Sequence, residues 1–183
     1  METKKENLGL RIFLGSLTSE LEKLYGHPTI NAMIYRIGQK PGETVAKQIL
    51  KKYNKTEDEP FELPSAAFSL LETSIKQLYD IEQVDFREDS EKDRYILEIK
   101  NVCPLRSVIM SREDIEFGGT LCQFTMGYFE NALKILTNMN VEYSFREKDT
   151  TDDYCFIRIF FKKKIEEIES PKLEEKPENE PET

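Results

Sequence analysis

The chain has no tryptophan, one histidine and three cysteines, none of them in a Cys-x-x-Cys pair. Each scarcity narrows the chemistry. A Ser-His-Asp triad or a histidine-ligated haem would have to use His27, which sits beside Pro28 where the chain breaks. His27 therefore reads as a loop histidine. Structural zinc centres commonly draw on closely spaced Cys pairs, and the three cysteines, at 103, 122 and 155, lie far apart. An odd, scattered set is no disulfide framework, so the thiols read as reduced. No run approaches the roughly 18 apolar residues of a membrane span. The start, Met1-Glu2-Thr3-Lys4-Lys5-Glu6, lacks the apolar core of a signal peptide. The expectation is a cytoplasmic chain with no membrane span.

Glycine and positive charge are also in short supply. Gly38 and Gly42 flank Pro41 but follow no strand, which excludes a nucleotide-binding fingerprint and predicts a turn between two helices with Gly38 as a C-cap. Lys and Arg number 26 against 35 Asp and Glu, giving a net charge of −9 and a pI near 4.9. A phosphate-binding surface needs clustered cations, and here they alternate with acids, so nucleic acid is not expected as a partner. Arg36 and Arg106 could hold an anionic head group at a pocket mouth, but the preferred reading is solvated surface arginine.

What is present suffices for one domain. Of 183 residues, 38 % are hydrophobic and 33 % charged, enough to bury a core beneath a heavily charged surface. Residues 117–161 organise the rest. After Gly118-Gly119-Thr120, the side chains Cys122, Thr125, Phe129, Leu133, Leu136 and Met139 recur at helical spacing. The period then changes to two: Val141, Tyr143 and Phe145 alternate with polar residues, as do Tyr154, Phe156, Arg158 and Phe160 with their neighbours. A turn over residues 148–153 joins the two runs.

Upstream, residues 8–17 are apolar but for Arg11 and fit a short strand or an extended arm. A short amphipathic helix leads to Gly26. Helices are expected over 30–38, from about 43 to Tyr53, and over 66–79. A hairpin follows, with Val84-Asp85-Phe86 and 95–99 around a turn at 89–93. Residues 107–113 read as a connector. The order implies an α+β fold, with helices packed on one face of a twisted antiparallel four-stranded sheet. The expected divisions are an arm and short helix (1–29), a main domain (30–163) and an acidic tail (164–183).

Three stretches together carry a resemblance: Tyr35-Arg36-Ile37-Gly38-Gln39-Lys40-Pro41-Gly42-Glu43-Thr44-Val45-Ala46, then Leu121-Cys122-Gln123-Phe124-Thr125-Met126-Gly127-Tyr128, then Tyr154-Cys155-Phe156-Ile157-Arg158-Ile159. In order and spacing they resemble the vinyl-4-reductase domain family, known among archaeal proteins as hydrocarbon binders. More distantly they resemble the small subunits of the TRAPP vesicle-tethering complex, which share that fold. The resemblance implies a homodimer through the N-terminal helices and a cavity between sheet and helices for a small hydrophobic ligand. Met33, Phe124, Met126, Phe129, Phe145 and Phe156 would wall that cavity, although ordinary core packing uses the same residue types. It also implies a zinc site in some members: Cys122 and Cys155 match two ligands, Glu147 stands where the family has a further cysteine, and Cys103 is a candidate third thiolate. Non-catalytic binding, as a sensor or carrier, is the expected function. A reductase acting on a vinyl or tetrapyrrole-type substrate is the alternative suggested by the family's name, though no flavin or dinucleotide motif is visible. A scaffold subunit is the third reading.

Overall fold

The computed structural model of the chain describes residues 2–148 and 154–163. Of the turn expected at 148–153, Lys148 ends a strand, while residues 149–153 and the acidic tail 164–183 lie outside the described residues. Among the described residues, five helices and four strands follow in order: α1 (Glu2–Tyr25), α2 (His27–Lys52), α3 (Pro64–Ile75), β1 (Asp80–Asp89), β2 (Arg94–Val102), α4 (Arg106–Met110), α5 (Thr120–Thr137), β3 (Asn140–Lys148) and β4 (Cys155–Lys162). No helix among the described residues is long and apolar enough to cross a membrane.

The two hairpins join into one antiparallel sheet in the order β1-β2-β4-β3. Their seam is β2 against β4, running from Asn101↔Cys155 to Arg94↔Lys162. Along β4, Cys155, Ile157, Ile159 and Phe161 are buried and alternate with half-buried neighbours, as a strand covered on one face requires. Leu97 and Ile99 of β2 lie on that same inner face. The core forms where α5 (Phe129, Ala132, Leu133, Leu136), α3 (Phe68, Leu71) and α2 (Ala46, Ile49, Leu50) press on it. Each large side chain buried there contributes roughly 1.5–3 kcal/mol. Among the described residues, no helix covers the other face. Glu98 stands at its centre, bonded by Arg87 (3.1 Å), Arg146 (3.2 Å) and Arg158 (2.9 Å). Partial burial would raise its carboxyl, but the bonds from Arg158 and Arg87 hold it below the ordinary range. The expected fold is therefore the observed one.

Four local expectations need correction. Residues 8–17 are neither strand nor arm but part of α1, whose buried side is Gly15, Thr18 and Ser19. The break expected at Pro41 is absent: α2 runs through it as one helix. An internal proline costs about 3 kcal/mol, which the close packing of α2 on α5 offsets. The connector at 107–113 begins with a short helix, α4, whose Val108 and Ile109 form a second small core with Ile115 and Leu121. The α1–α2 break is narrower than expected: Gly26 alone interrupts the helices, at φ +78°, a conformation few other residues accept, and His27 and Pro28 open α2, so His27 is a helix-start residue and not a loop one.

Candidate functional site

The long helices α2 and α5 touch backbone to backbone. A Cβ added at Gly38 would lie 2.1 Å from the Phe124 carbonyl oxygen, and one at Gly42 would lie 2.4 Å from that of Tyr128. From the other side, a Cβ on Gly127 would meet the Tyr35 oxygen at 2.1 Å. Glycines four apart on one helix, with a third on its partner, allow this approach as no larger residues could. Gly38 and Gly42 are therefore contact points and not a turn. Polar bonds register the crossing. The Tyr35 hydroxyl donates to Glu130 Oε2, the Tyr143 N–H donates to Glu130 Oε1 at 2.6 Å, and Asn131 Nδ2 donates to the Gln39 carbonyl at 2.9 Å. Burial pushes the Glu130 carboxyl up despite those two bonds. Burial, reinforced by Glu130, pushes the Tyr35 phenol up to about 12.

With α5 fixed in this way, its N-terminal turns lie over the end of the β2–β4 seam, where a polar cluster is buried. Asn101 and Cys155 are cross-strand partners on the inner face, 2 % and 7 % exposed. Cys103 follows one turn of chain later. Arg106, at the start of α4, is 5 % exposed, which corrects the expectation of a surface arginine. Its Nη1 donates to Cys155 Sγ at 3.3 Å and its guanidinium lies 4.9 Å from the Phe117 ring centroid. Cys122, on α5, accepts the Gly118 N–H at 3.2 Å. Tyr79 and Thr125 close the cluster, their hydroxyl oxygens 3.4 Å apart. Burial raises all three thiols, Cys122 to about 12; Cys103 adds to the rise at both Cys122 and Cys155. Arg106 works against burial at Cys155. Asn101 Oδ1 has no hydrogen-bond partner among the described residues.

Three of the four expected metal ligands, Cys103, Cys122 and Cys155, thus share one neighbourhood, Cys155 buried and the other two half-buried. No group of three or more His, Cys, Asp or Glu among the described residues is arranged to hold a metal ion. The side chain of Glu147, the fourth, lies outside the described residues. Soft sulfur donors fit zinc chemistry, but zinc here would have to displace the Arg106 and Gly118 bonds. The six residues expected to wall a cavity are spread apart. Phe129 is fully buried in the main core and Met126 packs against it. Phe145 lies near Gly118, and Phe124 tilts towards Tyr128 with ring centroids 6.5 Å apart. Met33 is 51 % exposed on α2. Phe156 stands on the open face of the sheet, edge-on to Tyr154. Four surface grooves are lined by helices and their connecting loops, with no strand residue in any of them. Neither Asn101 nor the glycine contacts were anticipated. The signals available were a polar residue at an inward position of β2 and the four-residue spacing of Gly38 and Gly42.

No family model matches the chain, and no curated protein matches it. Solved structures do share its fold. One is the phenol-responsive sensory domain of the transcription activator PoxR, solved with phenol, at TM-score 0.60 and 16 % identity over 82 % of this chain and 74 % of that one. Another is a trafficking protein particle complex subunit 3 from Naegleria fowleri covalently bound to palmitic acid, at TM-score 0.56 and 20 % identity over 87 % and 97 %. The tethering-subunit fold expected from the three motifs is therefore present. The vinyl-4-reductase resemblance rests on those motifs alone.

Proposed function

We propose that this protein is a non-catalytic binding module of the vinyl-4-reductase type, holding a small hydrophobic molecule between α5 and the sheet as a sensor or carrier. The observation that carries the reading is Asn101. Its Oδ1 is buried without a partner among the described residues, in the polar cluster that borders the apolar core. An unsatisfied buried acceptor costs about 1–3 kcal/mol, and groups left in that state call for a reason. A guest molecule with an apolar body and one donor would supply it. The neighbours lend support: one was solved with phenol and another with palmitic acid. Native mass spectrometry after incubation with phenol or palmitic acid tests the idea. The expected result is added mass on the wild type that Asn101→Leu loses. A wild-type chain that retains neither would overturn it.

The same reading includes a homodimer. Leu10, Phe13, Leu17 and Leu24 fall on one side of α1, about 165° around the helix from its buried Gly15–Thr18–Ser19 side. Phe13 is 60 % and Leu24 72 % exposed, and Met33 and Ile37 on α2 are exposed as well. Apolar residues turned outward while small and polar ones turn inward favour a covered face, and a second copy of the chain presents the same surface.

A further inference from the structure

One groove differs from the others in its chemistry. It lies between α2 and α3, with a volume of about 400 Å³, and is walled by Pro41, Val45 and Gln48 of α2, Ile75 of α3 and Leu78 just beyond. No charged side chain lines it, in a chain of which 33 % is charged. The others carry Glu22, Glu113, Asp114 and Glu116, or Arg11, or Lys40, Lys47 and Lys51.

Its floor is Tyr128 of α5, 5 % exposed. Tilted and edge-on rings hold it: Tyr79 at 5.7 Å, Phe129 at 5.9 Å and Phe124 at 6.5 Å between centroids. The backbone beneath it is pinned by Gly42. Among the described residues no group bonds its hydroxyl, although the other hydroxyls of the groove are engaged: Thr44 donates to the Lys40 carbonyl and Ser74 to that of Leu70. Burial raises the Tyr128 phenol, so it remains a neutral donor.

We propose that this groove is a binding site for a small neutral molecule, a ring or short chain with a single hydroxyl or carbonyl that bonds Tyr128. The inference rests on the small-molecule reading above but locates a separate site, on the helical side of Tyr79 and Tyr128. The volume lies at the lower end of that of ordinary ligand pockets. An ion would lose its hydration there without a partner. The rigid floor means that little ordering accompanies binding.

The test is isothermal titration of the full chain with phenol, toluene and benzoate, three molecules of similar size. Phenol should bind about tenfold more tightly than toluene, as one added hydrogen bond implies, and benzoate should not bind. Tyr128→Phe should reduce phenol to the toluene level and leave toluene unchanged. Gln48→Trp, a change at an exposed helix position, should fill the groove and abolish both. Phenol binding that survives Tyr128→Phe and Gln48→Trp but is lost in Asn101→Leu would overturn the groove and leave the interior site standing. Loss in the groove variants with Asn101→Leu unaffected would sink the interior site instead. No binding of any probe to the wild type overturns both.

Discussion

Gly38 lies so close to Phe124 that a Cβ on it would stand 2.1 Å from the Phe124 carbonyl oxygen. Neither backbone can yield, because both belong to long helices. Gly38→Ala should therefore destabilise the fold by about 2–3 kcal/mol, at the upper end of the range for overpacking. Gly9→Ala is the contrast. It lies in α1 with nothing within 4 Å of the added methyl, so the change should stabilise by up to about 1 kcal/mol. Urea denaturation of both variants checks the pair.

Glu130 gives the stability of the protein a pH dependence of known sign. Its folded value is raised above the ordinary 4.5 by burial, so the folded chain holds a proton that the unfolded chain has already released. The stability from this group is complete below about pH 4.5 and is lost as pH rises through the folded value. Glu130→Gln keeps an acceptor for the Tyr143 N–H and removes the titration. Denaturation curves from pH 4 to 8 should show wild type losing ground to the variant as pH rises. A constant difference would contradict the assignment.

The outward side of α1 predicts the oligomeric state. Phe13→Glu places a charge in the middle of the apolar stripe, at a position that is mostly exposed in its own chain. Sedimentation should show a dimer for wild type and a monomer for the variant, with unchanged circular dichroism. A monomeric wild type would remove the dimer and favour a scaffold whose apolar face meets a different partner.

The thiol cluster predicts metal content. If Cys103, Cys122, Cys155 and Glu147 hold zinc, native mass spectrometry of protein purified with zinc present should show one ion per chain. Cys122→Ser or Cys155→Ser should reduce that occupancy. A wild-type mass without zinc would leave the cysteines as core thiols held by Arg106 and Gly118. Arg106→Leu would then destabilise chiefly by exposing Cys155 to an apolar neighbour in place of a donor.

The sequence by itself determined the α+β class, the two hairpins and the helix over 120–137, because these follow from local period. Three-and-four spacing produces an amphipathic helix, alternation produces a half-covered strand, and Asn138 at φ 53° ends the helix where the period changes. It also fixed which residues could serve as sulfur ligands. Tertiary structure decided the rest, since it depends on surfaces distant in sequence. Pro41 remains helical because α5 packs against it, and Gly38 and Gly42 mark a crossing because Gly127 faces them. The apolar residues of α1 point outward because polar bonds hold its other side: Ser16 to Arg112 at 3.1 Å and Glu22 to Thr120. The meeting of Asn101, Arg106 and three cysteines depends on the β2–β4 pairing, which no local pattern encodes.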